Sequence, residues 1–168
     1  MNNKITLSDI SIRTNLKPGD LGYVMHRHGV IYQQEYNYGI SFETYVGLGL
    51  YEFYQNYNEE LDRAWIAEYS DKLIGSLFLM HRQNNSAQLR YFLIEPEYRG
   101  IGLGKKLIEL FMQWLREKGY KSSYLWTTHE LDCAASLYKR HGFILTEEKE
   151  STAFGKTLTE QRYDLVLE

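Results

Sequence analysis

The pattern of apolar and polar residues along the chain alternates between two periods, and each change predicts the end of one element and the start of another. Apolar residues recur every three or four positions after Asp20 and after Gly102, as in amphipathic helices, whereas alternation and short apolar runs elsewhere indicate strands. The predicted order is a strand at 10–13, a helix from 21, a helix at 42–57, an antiparallel hairpin of strands 63–69 and 73–79, a central strand at 89–94, a helix at 103–118, a strand at 124–128, a helix from 134, and a final antiparallel pair at 143–147 and 161–167.

Single residues in these helices lead to further predictions. Asp20 follows a Pro-Gly turn and is the predicted N-cap of the first helix. Gly47 and Gly49 lie inside the second helix, where each costs about 0.5–1 kcal/mol relative to alanine, so they predict close backbone packing or a bend. Gly119 is predicted to end the helix at 103–118.

The segment between the central strand and the helix at 103–118 is typical of an anion-binding turn. Pro96 has no N–H group and so ends the strand, and the three glycines of the turn Arg99–Gly104 lack the Cβ atoms that would keep a ligand from the backbone. A helix N-terminus has unpaired N–H groups and a partial positive charge, to which Lys105 and Lys106 add. The turn therefore predicts a phosphate site.

Three phosphate-binding patterns could account for this turn, and residue spacing separates them. A Walker loop fails at two required positions, because Arg99 stands where its first glycine belongs and Lys106 where its Ser/Thr belongs. A dinucleotide-binding fingerprint counted from Gly100 ends at Lys105 instead of glycine, and the nearest acidic residue after the next strand, Glu130, lies too far along the chain. That pattern stays as the weaker alternative.

The third pattern, Arg/Gln-x-x-Gly-x-Gly/Ala, is matched by Arg99, Gly102 and Gly104, and here the sequence resembles the GNAT superfamily of N-acyltransferases. A second segment, Ala134–Phe143, resembles the family's Ala-x-x-Leu-Tyr-x-x-x-Gly-Phe helix, one strand further along. The resemblance implies a single GNAT domain over residues 1–168. It also implies an α/β fold in which a mixed, mostly antiparallel central sheet is flanked by helices on both faces.

The same resemblance implies a cofactor and its site. In this family the amides of the turn hold the pyrophosphate of acetyl-CoA, which is therefore the expected cofactor, and no metal is expected. Tyr138 corresponds to the family tyrosine that points at the sulfur of CoA. The implied cofactor-binding residues are Leu93, Ile94, Arg99, Gly100, Ile101, Gly102, Leu103, Gly104, Lys105 and Tyr138.

Direct transfer of the acetyl group to a primary amine in a ternary complex, as the resemblance implies, needs a proton for the leaving sulfur and a neutral amine. Tyr138 is the candidate acid, because a phenol stays protonated at neutral pH. The base is open, since some family members place a glutamate early in the central strand and segment 87–90 has no carboxylate. Glu35 and His28 are the candidate catalytic substitutes, with a water relay as an equal alternative. Leu131 is a second departure, where the family often has an asparagine that steadies the cofactor.

The acceptor is expected beside the first two helices, which form one wall of the acceptor cleft in GNAT proteins. Segment 23–38 is dense in aromatic and titratable side chains, and the expected acceptor is an amine-bearing small molecule or peptide. Segment 19–29 also looks like the start of the acetyltransferase half of bacterial MarR-type regulator–acetyltransferase fusions. No winged-helix segment precedes it, so DNA binding is not expected.

Composition and charge narrow the partners and the location. The 168 residues include 43% hydrophobic and 15% aromatic residues, typical of a globular domain, and a formal charge of −3 gives no basic footprint for nucleic acid. With one cysteine, Cys133, no membrane-spanning run and no signal peptide, the sequence predicts a cytoplasmic protein without membrane partners. A homodimer is compatible with the sequence. The competing function is a catalytically inactive CoA-binding regulatory module.

Overall fold

The computed structural model describes residues 5–167, which form four helices and seven strands. Short 3₁₀ turns at Leu7–Asp9 and Pro96–Tyr98 complete the fold. None of the helices in this range is both long and apolar enough to cross a bilayer. In chain order the elements are β1 Ser11–Arg13, α1 Asp20–Tyr36, α2 Ile40–Gln55, β2 Arg63–Tyr69, β3 Lys72–Arg82, β4 Ser86–Ile94, α3 Leu103–Glu117, β5 Ser122–Thr128, α4 Asp132–Arg140, β6 Ile144–Ser151 and β7 Leu158–Val166.

All seven strands belong to one sheet in the order β1-β2-β3-β4-β5-β7-β6. Every neighbouring pair is antiparallel except β4 and β5, which run parallel. The α3 helix connects these two strands, as a parallel pair requires a crossover. The predicted mixed, mostly antiparallel α/β sheet is therefore confirmed.

Two hydrophobic cores lie on opposite faces of the sheet. Leu77 and Leu79 of β3 belong to the core that contains α3 and α4, whereas Phe78 between them packs against Phe53 of α2, with ring centroids 5.0 Å apart. Complete burial of such a side chain stabilises the fold by about 1.5–3 kcal/mol. Helices therefore flank the sheet on both faces, as the sequence predicts.

The start of α1 corrects one prediction. Asp20 is the first residue of the helix and Gly19, with φ of 98°, occupies the N-cap. The buried carboxylate of Asp20 instead accepts hydrogen bonds from Lys17 N–H at 2.7 Å and from both terminal nitrogens of Arg13. Burial alone would raise the pKa of Asp20, but these hydrogen bonds hold the pKa below its usual value. Asp20 thus ties β1 to α1 rather than capping α1 with its side chain.

The two interior glycines of α2 are explained by close packing, one of the two predicted reasons. A Cβ at Gly47 would stand 2.7 Å from Sδ of Met25 on α1. At Gly49 it would stand 2.6 Å from an Nη atom of Arg90 and would overlap with the hydroxyl of Tyr91. Both glycines therefore let side chains from neighbouring elements lie directly on the α2 backbone.

The sheet opens between β4 and β5. The two strands pair only over Ser86–Gln88 and Ser122–Tyr124, although both continue further. In the divergent part, Tyr91 has φ of 52°, and the register between β3 and β4 shifts beside it. Ser76 fixes this bulge by donating a 2.7 Å hydrogen bond from Oγ to the Tyr91 carbonyl. A gap therefore forms at the centre of the sheet, a common position for functional sites.

Candidate active site

The glycine turn leads into α3 with its backbone N–H groups open. Gly100 and Gly102 have φ of 78° and 92°, and Gly102 is the N-cap of α3. The first helical bond runs from Lys106 N–H to the Gly102 carbonyl at 3.0 Å, so the N–H groups of the first turn have no helical partner. No side chain caps this end and no acidic residue lies in its first turn. The helix start is thus available to an anion.

Space around the turn also fits a phosphate group. No atom lies within 4 Å of the position that a Cβ would take at Gly100, and only Leu7, at 3.8 Å, approaches that position at Gly102. Gly104 differs, because its Cβ position is 3.4 Å from Ile94 and 3.6 Å from Phe92. The first two glycines therefore keep the ligand side of the turn open, and Gly104 lets α3 pack closely against β4.

Other predicted cofactor residues contribute in different ways. Leu103 is buried in the core, and Ile101 packs against it, so only their backbone groups face the turn. Lys105 is exposed and lies 3.8 Å from Glu109, a weak surface pair. Leu93 and Ile94, at the end of β4, line a groove of about 610 Å³ that also includes Arg99, Gly100 and Gly104.

Ion pairs fix α1 beside this groove. Glu95, directly after β4, accepts hydrogen bonds from the Tyr23 hydroxyl at 2.7 Å and from Arg27 at 2.6 and 2.7 Å. Arg99 donates from Nη1 to Glu35 Oε1 at 2.8 Å and from Nε to the carbonyl of Ile94 at 3.1 Å. Glu35 therefore lies in the groove with the glycine turn, paired with the turn's arginine.

A second, smaller cavity of about 120 Å³ lies between β4, β5 and the two N-terminal helices. Its wall is mostly aromatic and includes His28 and Tyr138. Four residues line both this cavity and the groove, so the two spaces adjoin: Tyr32, Phe92, Leu131 and Ala134. Leu131, noted in the sequence as a departure from the family, thus stands at the junction.

Tyr138 extends from α4 into the gap between β4 and β5. Its ring lies 6.1–6.3 Å, centroid to centroid, from those of Phe92, Phe143 and Tyr163. Burial raises the pKa of its hydroxyl, which therefore stays protonated at neutral pH. The side chain is held by packing on several sides, with a proton available at the cavity wall.

His28 is held inside the aromatic cavity as a neutral imidazole. Its Nδ1 lies 2.7 Å from the carbonyl of Val24, which can only accept, so Nδ1 carries the proton and Nε2 has the lone pair. Burial lowers the pKa of His28 to about 4, and the positive charge of Arg90 acts in the same direction. His28 is therefore in the right protonation state to accept a proton, but it is a weak base.

The cavity also contains residues that the sequence analysis did not select. Trp126 of β5, Phe154 of the β6–β7 loop and Glu160 of β7 reach it from distant parts of the chain. Arg90 of β4 lies there as well. The sequence could have indicated Arg90, because it is a charged residue inside an otherwise apolar central strand.

Comparisons with known proteins agree with this geometry. The model of the acetyltransferase (GNAT) family matches residues 31–143, which include the glycine turn and Tyr138. A relative from Escherichia coli K12, described as an uncharacterized N-acetyltransferase, YjgM, is 33% identical over 120 residues, covering 68% of this chain and 72% of the relative.

Solved structures share the fold. An acetyltransferase of the GNAT family from Staphylococcus aureus Mu50 superimposes with a TM-score of 0.77 at 21% identity, over 95% of this chain and 99% of that one. An acetyltransferase from Bacillus anthracis str. Ames, solved in complex with acetyl coenzyme A, superimposes with a TM-score of 0.58 at 23% identity, over 69% of this chain and 68% of that one. Because the family model matches more than half of the residues of this chain, the chain belongs to the acetyltransferase (GNAT) family.

Proposed function

We propose that this chain is an N-acetyltransferase that moves the acetyl group of acetyl-CoA directly to a primary amine, with both reactants bound together. The observation that carries the proposal is the junction of the groove and the aromatic cavity beside Tyr138, at Tyr32, Phe92, Leu131 and Ala134. A groove that opens onto an open helix N-terminus suits a phosphate-bearing cofactor, and the adjoining cavity suits its acceptor. The solved B. anthracis relative with bound acetyl coenzyme A supports the choice of cofactor.

The residues that would hold acetyl-CoA are those of the glycine turn and the end of β4. The open N–H groups at the start of α3 suit its pyrophosphate, with Arg99 supplying a fixed charge beside them. Leu93 and Ile94 line the groove on the side where β4 has parted from β5. Backbone groups on that edge have no strand partner and can bond to an amide-containing ligand.

For acetyl transfer from a thioester to an amine, the protein has to position the two reactants and supply a proton to the leaving sulfur. Bound acetyl-CoA supplies a thioester, whose carbonyl carbon forms a bond to the amine nitrogen as its bond to sulfur breaks. Tyr138 donates its hydroxyl proton to the departing sulfur, and the excess proton on the amine leaves to a base or to water, from which the Tyr138 phenolate regains a proton before the next turnover. Burial keeps Tyr138 protonated until that step.

The two candidate bases have different surroundings. His28 lies in the aromatic cavity with Nε2 free of its proton, so it is the better placed of the two to receive a proton from an acceptor. Glu35 lies in the groove and is paired with Arg99. An α-amine, with a pKa of about 7.7–8.0, is partly neutral at pH 7.5 and needs a base less than a lysine side chain does.

Release of free thiol from acetyl-CoA in the presence of a panel of amines tests the proposal. We expect turnover with at least one amine, together with the acetylated amine as product. The alternative, a CoA-binding regulatory module, is favoured by the absence of a carboxylate in segment 87–90. Tight acetyl-CoA binding without thiol release on any amine would decide for that module.

Four further expectations from the sequence remain predictions. They are a single domain over residues 1–168, the cytoplasmic location, a homodimer and the similarity of segment 19–29 to MarR-type fusion proteins. The first four residues and Glu168 lie outside the described range.

A further inference from the structure

Arg90 places a positive charge in the wall of the aromatic cavity. It lies on β4, beside the Tyr91 bulge, and is half-buried. Residues that line this cavity are otherwise mainly aromatic or apolar. A cation in such surroundings is costly unless a partner of opposite charge compensates it.

That partner is missing within residues 5–167, where no ion pair or hydrogen bond involves the Arg90 guanidinium. Of the other arginines in this range, five have carboxylate partners at 2.6–2.8 Å, namely Arg13, Arg27, Arg82, Arg99 and Arg162. The remaining three, Arg63, Arg116 and Arg140, have no such pair but do not line the cavity. Arg90 is thus the one arginine of this range that combines free donors with a place in the cavity wall.

The position of Arg90 is nevertheless fixed. Its guanidinium carbon lies 4.8 Å from the ring centroid of Tyr91 and 5.4 Å from that of Tyr45. Its nitrogens also lie directly over Gly49, where any Cβ would displace them. Aromatic rings and a bare stretch of helix hold the guanidinium without using its hydrogen-bond donors.

The other titratable groups of the cavity do not neutralise this charge. His28 is neutral and, if protonated, would add positive charge. Glu160 also lines the cavity, but it is paired with Lys149 at 3.6 Å. The cavity therefore has one uncompensated charge, and that charge is positive.

We infer that Arg90 is a specificity-determining residue that binds a carboxylate on the acceptor, so that the acceptor class is amines that also bear a carboxylate, such as amino acids. The inference rests on the proposed function. A planar guanidinium fork matches a carboxylate in two parallel hydrogen bonds, and the small cavity favours this group over a bulkier tetrahedral oxyanion. Polycationic amines are disfavoured by the same charge.

The experiment compares amines that differ only in their carboxylate. Alanine, phenylalanine and γ-aminobutyrate are each assayed against their carboxamides, with wild-type protein, Arg90→Gln and Arg90→Lys. For an acceptor that the wild type uses, we expect the preference for acid over amide in kcat/KM to fall about 10–100-fold in Arg90→Gln. Arg90→Lys should fall between the two, because it keeps the charge and loses the fork. Each variant's preference for acid over amide is compared with that of the wild type, so the effect of the different amine pKa values cancels.

Arg63→Gln is the matched control. Arg63 is also a half-buried strand arginine over an aromatic ring, 3.7 Å from the centroid of Trp114, but it lies outside the cavity. Its loss should leave the acid-over-amide preference unchanged. If Arg90→Gln reduces activity on acids and amides equally, Arg90 only supports α2 and the inference is wrong. Preferred turnover of O-phosphoethanolamine over every carboxylate-bearing amine would also overturn it.

A binding measurement separates failure of the inference from failure of the proposed function. The N-acetylated forms of the three acids and of their amides are titrated by calorimetry into protein saturated with CoA. Binding of an acid that weakens in Arg90→Gln supports the inference even if no amine is acetylated. The inference is contradicted if the acids bind no better than the amides, or if the acids bind equally well to the wild type and to Arg90→Gln. Either result counts against it even if amines are acetylated.

Discussion

Replacing Gly100 by alanine separates the phosphate-binding role of the glycine turn from its conformational cost. Gly100 has φ of +78° with open space where a Cβ would stand, and Gly119, after the other end of α3, has φ of +67° with equally open space. Alanine at either position forces an L-residue into the left-handed region, which costs about 1–2 kcal/mol of unfolding free energy. Gly119→Ala is therefore a control with matched strain and no predicted ligand.

The expected loss of affinity follows from the N–H groups at the start of α3. A methyl group at Gly100 fills the open space beside the turn, and relief of the backbone strain moves these donors away from the pyrophosphate. A hydrogen bond to a charged group contributes about 1.5–3 kcal/mol, and 1.4 kcal/mol corresponds to a tenfold change in affinity. Loss of one such bond therefore weakens acetyl-CoA binding by about 10–100-fold.

Calorimetric titration with acetyl-CoA and urea unfolding together provide the test. Both variants should lose similar stability, and only Gly100→Ala should lose affinity. A folded Gly100→Ala protein that binds acetyl-CoA like the wild type would refute the assignment of the turn to the pyrophosphate. An equal loss of affinity in Gly119→Ala would show that general destabilisation, rather than the turn, controls binding.

Three further substitutions examine the chemistry and its pH dependence. Tyr138→Phe keeps the packed ring and removes the proton donor, so kcat should fall by up to about 10²–10⁴-fold with little change in Tm or acetyl-CoA affinity; full activity would remove Tyr138 from the mechanism. Glu35→Gln should raise the KM for acetyl-CoA if Glu35 acts through Arg99, whereas a lower kcat and a shifted acidic limb at unchanged KM would identify it as the base. Burial lowers the pKa of His28 to about 4, from about 6.5 in the unfolded chain. The unfolded chain therefore takes up a proton first as the pH falls below 6.5, and the free energy of unfolding decreases by up to about 3 kcal/mol by pH 4. In His28→Gln, urea unfolding at pH 7 and pH 4 should differ by correspondingly less, and an unchanged difference would contradict the low pKa.

Local sequence patterns predicted most of the fold, because helices and strands depend on nearby residues. The errors lie where local and tertiary signals differ. Asp20 has the chemistry of an N-cap, but Arg13 draws its carboxylate towards β1. The strand β6 runs to Ser151 rather than 147, because its exposed edge position needs no apolar alternation and its polar residues gave no strand signal.

The two halves of the candidate site differed in how far the sequence could predict them. The glycine turn is contiguous, so spacing alone identified it, and family membership now favours acetyl-CoA over the dinucleotide alternative. The aromatic cavity is assembled from β4, β5, β7 and the β6–β7 loop, and no local pattern brings Trp126, Phe154 and Arg90 together. Only the assembled fold shows that Arg90 lines the same cavity as these two aromatic residues.

Initial rates measured over a grid of acetyl-CoA and acceptor concentrations, with mass spectrometry of the protein after incubation with acetyl-CoA alone, test the central claim most directly. Transfer at the junction of the two spaces requires both reactants at once. We therefore expect reciprocal plots that intersect and a chain whose mass is unchanged without acceptor. Parallel reciprocal plots, together with a chain that has gained one acetyl group and passes it to a later amine, would contradict direct transfer.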